Sequence, residues 1–125
     1  MFLSFVEEDL ELVKLFRGQA RNKNSALSFD DYSVKVPYNS ADAAYIRGKI
    51  KEKIRSSSVL ICLVGPDTHK SAWVDREIRT AEELGKKIIG VRLRRDAQDP
   101  LPAALNSVGA KVCGWEIDSI VALIG

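Results

Sequence analysis

The sequence predicts a three-layer α/β fold in a single domain over residues 1–125: a five-stranded parallel sheet with helices on both faces. Three observations carry this expectation. Short apolar runs alternate with segments of helical spacing, the pattern of a parallel sheet with crossover helices. The run from Val59 to Val64 is apolar throughout, as a strand covered on both faces must be. A chain of 125 residues suits one domain and can bury one core without disulfides or metal.

The elements follow in order. Residues 1–5 read as a short buried strand. Residues 7–21 have helical spacing, with Leu12, Val13, Phe16 and Ala20 on one face. The acids Glu7, Glu8 and Asp9 favour that helix's N-terminus. Residues 27–31 read as a second strand ending in Asp30 and Asp31, and residues 34–40, with Pro37 and Asn39, as a loop. Residues 42–55 form a helix with Ala43, Ile46, Ile50 and Ile54 on one face, capped by Ser40 or Asp42. The strand at residues 59–64 stops at Gly65-Pro66. A polar loop leads to Ser71, a natural N-cap, and the next helix runs to Leu84 and ends at Gly85, a C′ glycine. Residues 87–93 form the fourth strand, 94–102 a charged loop, 110–113 a weak fifth strand, and 117–124 a last short helix. The crossovers are right-handed. Ligands in such sheets bind beyond the carboxyl ends of the strands, here Ser4-Phe5, Asp30-Asp31, residues 65–71 and Leu93 onward.

Composition narrows the function. The chain is 46% hydrophobic and 29% charged, with a formal charge of +2, and no basic-aromatic patch argues for nucleic acid. No stretch approaches the roughly 20 apolar residues of a membrane span, and the first residues lack the basic region and cleavage site of a signal peptide. Cys62 and Cys113 read as reduced thiols of a cytoplasmic protein, without zinc spacing. One histidine cannot build a histidine-rich metal site, so no metal is expected. A G-x-G-x-x-G, a Walker A loop and a G-x-S-x-G elbow are all absent.

One residue breaks the pattern. At about 100° per residue, with Trp73 as origin, Leu84, Glu77, Ala81, Val74 and Ile78 fall within roughly 140° of it. Asp75, Arg76, Arg79, Glu82 and Glu83 take the opposite arc. Six residues of this helix carry charge, and Glu77 alone points with the apolar ones. Burial of a carboxylate costs several kcal/mol unless it is paired or hydrogen-bonded. Glu77 also starts one turn into the helix that follows a predicted ligand edge. The bland alternative is a carboxylate satisfied by backbone amides or an arginine. Trp73 reads as core or pocket wall, Phe5 as core or a stacking ring, Asp30 and Asp31 as turn acids or ligands. His69 and Arg92, Arg94 and Arg95 read first as solvated rim.

The ordered set Phe2-Leu3-Ser4-Phe5, Phe29-Asp30-Asp31, a proline-containing loop, Lys53-Ile54-Arg55-Ser56-Ser57-Ser58, the strand at Val59, and Ser71-x-Trp73-Val74-x-x-Glu77-Ile78 resembles a TIR domain over nearly the whole chain. It is most similar to the compact bacterial TIR-like, ThsB-type proteins of the Thoeris anti-phage defence system. The resemblance implies a flavodoxin-like three-layer fold and an NAD-cleaving enzyme in which Glu77 is the catalytic residue. NAD is then a substrate, not a cofactor. The resemblance further implies self-association through the loop that begins at Ser33 and ends at Ser40, and a downstream effector activated by the product. Phe5 followed by acids departs from members that carry Tyr and basic residues there.

The chemistry suits one glutamate. Nicotinamide departs from NAD as a neutral molecule, so it needs no general acid, unlike an ordinary glycoside with its carboxylate pair. Positive charge gathers on the ribose, where a carboxylate in a water-poor pocket stabilises it. Such burial is expected to raise that carboxylate's pKa. Ser4, Phe5, Asp31, Ser71 and Trp73 are the candidate contacts around the substrate, and the helix N-terminus near Ser71 suits a pyrophosphate. A scaffold acting by protein contacts alone, or a nucleotide sensor without turnover, stays open as an alternative.

Overall fold

A computed structural model describes residues 1–23, 43–94 and 98–124. Strand β1 is Phe2–Ser4, β2 Val59–Val64, β3 Lys87–Arg92 and β4 Lys111–Gly114. Helix α1 is Leu10–Lys23, α2 Ala43–Arg55, α3 Ala72–Glu83, α4 Ala103–Ser107 and α5 Ile117–Ile124. The strands pair in the order β1-β2-β3-β4, every pair parallel. Among the described residues the sheet has four strands, against the five expected for the whole chain. The strand expected at residues 27–31 lies outside the described residues, as do Asp31 and the loop of residues 33–40.

Side-chain alternation in β2 explains its unbroken apolarity. Leu60, Cys62 and Val64 face one cluster, with Ile46, Ile50 and Ile54 of α2, Val74, Ile78 and Ala81 of α3, and Ala104 and Leu105 of α4. Val59, Ile61 and Leu63 face another, with Val13, Phe16 and Ala20 of α1 and Ile117 and Ile120 of α5. Successive residues of a strand point to opposite faces, so a strand between two helical layers must be apolar at every position. Each fully buried aliphatic or aromatic side chain contributes about 1.5–3 kcal/mol.

The first helix departs from expectation at its start. Residues Glu7–Asp9 form a single 3-10 turn before α1 begins at Leu10. Helix α4, five residues long, was not anticipated from spacing, because one and a half turns are too few to show a period. Its flanks carried the signal: Pro102 at the N-cap and Gly109 past the end with φ 65°, the usual helix punctuation. Gly85 ends α3 the same way, with φ 69°. Among the described residues, no helix is long and apolar enough to cross a membrane.

Candidate functional site

The site is built where β1 and β2 end and α3 begins. Ser71 adopts an extended backbone (φ −83°, ψ 118°), and its side chain accepts from the backbone N–H of Val74 at 3.2 Å. That cap starts α3 directly after the polar turn Thr68–Lys70. The face of α3 laid on the sheet carries Val74, Glu77, Ile78, Thr80 and Ala81, all buried. Glu77 therefore enters the core side, and it is only 4% exposed.

Ser4, the last residue of β1, is fully buried and meets it. The Ser4 hydroxyl donates to Glu77 Oε1 at 2.7 Å. A hydrogen bond to a charged group is worth about 1.5–3 kcal/mol, which offsets part of the burial cost. Register places Cys62 beside Ser4 in the sheet. Burial pushes the Cys62 thiol far above its ordinary range, and the Glu77 carboxylate adds to the shift. Cys62 is thus held as an inert thiol.

The other predicted residues divide. Trp73 is half-buried and packs against the same cluster as Val74 and Ile78, one turn before Glu77. Ser71 spends its oxygen as an acceptor on the helix cap. Phe5 packs with the cluster on the other face of the sheet, alongside Leu3 and Phe16, so it does not join Ser4 and Glu77. His69 is exposed in its turn. Arg92 donates to the Asp99 carbonyl at 2.7 Å, and Arg94 Nε donates to Asp99 Oδ2 at 3.0 Å. A second Arg94 contact, from Nη2 to Oδ1, makes the pair bidentate. Arg94 lowers the Asp99 pKa, first through that hydrogen bond. Arg95 lies outside the described residues.

Sequence reasoning missed a second buried carboxylate at this edge. Asp9 is 7% exposed, and its Oδ2 is buried without a hydrogen-bond partner. Burial raises its pKa above the ordinary 3.8, helped by Glu8, Asp67 and Asp99 and opposed by Arg94. The signal was available: residues 9, 13, 16 and 20 share a helical face. Thr68, fully buried, locks the loop after β2 by accepting from the Gly65 N–H at 2.8 Å. Asp9 fills the space over Gly65, where an added Cβ would lie 2.2 Å from Asp9 Oδ2. Among the described residues, no group of three or more His, Cys, Asp or Glu gathers as a metal site.

Two outcomes follow from this packing. Gly65→Ala should cost about 1–3 kcal/mol of stability by overpacking. Denaturant melts of Gly65→Ala, Asp9→Ala and the double variant should show that removing the Asp9 carboxylate recovers most of that loss. A raised folded-state pKa means that the native state binds the proton more tightly than the unfolded chain. Stability then falls as pH rises from 3.8 through the higher native value, above which the whole cost is present. Asp9→Asn should therefore raise Tm at pH 7 and give no gain below pH 3.8, as thermal melts across pH will show.

The parallel α/β sheet, flanked by helices on both faces, is consistent with a TIR-like fold. The family model for the Thoeris protein ThsB, TIR-like domain, matches residues 2–98, and the chain belongs to that family. The match spans β1 through β3 with Ser4, Asp9, Ser71, Trp73 and Glu77, while Asp99, α4, β4 and α5 lie beyond it. No curated protein matches the chain.

Proposed function

We propose that this protein cleaves NAD at the bond between nicotinamide and ribose, and converts the ADP-ribose part into a signal for bacterial anti-phage defence. The observation that carries the reading is Glu77, a carboxylate 4% exposed and hydrogen-bonded by the buried Ser4 hydroxyl at 2.7 Å, at the ligand edge of a parallel sheet. Membership of the Thoeris TIR-like family supports the defence context.

In this mechanism Glu77 stabilises the positive charge that develops on the ribose as the glycosidic C–N bond breaks. Nicotinamide takes the bonding pair and leaves neutral. Ser4 holds the carboxylate in place, since its hydroxyl donates to Oε1. A low-dielectric setting strengthens the charge–charge interaction relative to water. Trp73, one turn before Glu77, and Ser71 at the start of the helix are the substrate contacts in this reading, and the family resemblance gives Asp31, outside the described residues, the same role. Water, or an acceptor hydroxyl or nitrogen, then forms a bond to the ribosyl carbon through its lone pair, loses a proton to solvent, and yields ADP-ribose or a cyclised or conjugated product. The product acts on a downstream effector, and self-association through residues 33–40 belongs to the same proposal.

Mass spectrometry of NAD incubated with the purified protein tests the reading. Free nicotinamide and one ADP-ribose-derived species should appear together. Recovery of intact NAD, over protein concentrations that span monomer and assembly, would overturn it.

A further inference from the structure

At the end of the sheet opposite Glu77, β3 and β4 begin beneath two tight turns, at Gly85 and Gly109. These turns and the last turn of α5 surround an open cleft of about 470 Å³, inside the roughly 300–1,000 Å³ range of small-molecule sites. Its lining is apolar at Ile88 and Val108, the floor on the α3 side of the sheet, and at Leu123 on the α5 side, and it carries Lys86, Lys87 and Lys111 against one acid, Glu82. Added Cβ atoms at Gly85 and Gly109 would meet nothing within 4 Å, so the mouth is open beside both turns.

The donors here are ammonium groups. The turn N–H groups are already spent: Gly85 on Glu82, Lys86 on Ala81, Gly109 on Asn106 and Ala110 on Leu105. Lys87 Nζ donates to the Ile124 carbonyl at 3.3 Å, an acceptor without a formal charge. Among the described residues, neither Lys86 nor Lys111 forms an ion pair. Three cations around one apolar floor repel one another and attract an anion. The apolar floor favours an anion that brings an uncharged, flat body with it.

We propose that this cleft binds a small organic dianion, of the class of phosphate monoesters carrying a flat apolar group, at a site separate from the Glu77 edge. The phosphate sits among Lys86, Lys87 and Lys111, and the ring lies on Ile88 and Val108. The proposal does not depend on NAD cleavage, because binding is read without turnover.

Phenyl phosphate is a suitable probe, titrated into the isotope-labelled full chain at constant protein concentration while backbone amide resonances are followed. The amides of residues 86–88 and 108–111 should move and saturate. Phenol and inorganic phosphate, which each carry half of the chemistry, should bind at least tenfold more weakly. Combining Lys86→Gln with Lys111→Glu should weaken phenyl phosphate at least tenfold while the resonance pattern stays that of the folded protein. If that variant unfolds, Lys86→Gln with Lys111→Gln supplies the same comparison. No saturable shift, shifts confined to β1 and α3, or equal binding to the lysine variant would overturn the proposal. So would phenol or inorganic phosphate matching the ester. Movement of the same amides on simple dilution of the protein would assign the cleft to a second copy of the chain and overturn it too.

Discussion

Replacing Glu77 with glutamine is expected to lower kcat for NAD cleavage by about 10²–10³-fold and to leave KM nearly unchanged. The substitution keeps the side chain's length and shape. Its amide oxygen can still accept the Ser4 hydroxyl, which sits 2.7 Å from Oε1. What disappears is the negative charge. Charge on the ribose builds only as nicotinamide departs, so the loss falls on the transition state and not on the bound substrate. Stability should hold or rise, since a neutral amide costs less to bury than a carboxylate. Thermal melts beside steady-state kinetics separate the two effects. A drop in Tm that tracks the drop in rate would instead mark Glu77 as a structural carboxylate.

Truncating Phe16 should do the reverse. Phe16 is fully buried and packs edge-to-face on Trp115, with ring centroids 5.9 Å apart and 66° between planes. Phe16→Ala removes a ring from the layer between α1, α5 and the sheet, at a cost of about 3–5 kcal/mol. Single domains commonly have only about 5–15 kcal/mol of stability, so denaturant titration should show a large loss. Ser4 and Glu77 lie toward the opposite face, with α3. The variant should therefore keep its rate per folded molecule at low temperature, where enough of it remains native to assay.

The contrast between these variants reflects how the fold separates its two layers, and much of that was legible in the sequence. The strand at Val59–Val64 and the helix at Ile117–Ile124 have the bounds their patterns predict. Helix α3 lies between the predicted Ser71 cap and Gly85. Glu77 stood out because a single carboxylate interrupts a stripe of period 3.6. Its partner did not stand out. Ser4 lies 73 residues away in the chain, and their meeting depends on how β1 and α3 lie across the sheet, which no local pattern encodes. Phe5 was readable as a strand-end aromatic but not as a residue of the opposite face, because the sense of alternation is fixed by the core and not by β1 alone. Asp9, in the 3-10 turn that leads into α1, falls at helical spacing from the buried Val13, Phe16 and Ala20, a pattern like the one that marks Glu77. The sequence groups Asp9 with Glu7 and Glu8 as acids that favour a helix N-terminus, and only the structure separates them, with Glu7 and Glu8 exposed. The bidentate Arg94–Asp99 pair closes a loop by side-chain geometry, which spacing alone does not signal.

Glu77 is the centre of the account, and NMR of NAD mixed with the wild-type protein, beside an equal folded concentration of Glu77→Gln, tests it most directly. The account predicts that resonances of free nicotinamide grow in step with loss of NAD in the wild type and that the variant's initial rate is at least 100-fold lower, the lower end of what loss of a transition-state electrostatic contact costs. Equal rates in the two proteins, or NAD that stays intact with wild type whether dilute or assembled, would contradict it.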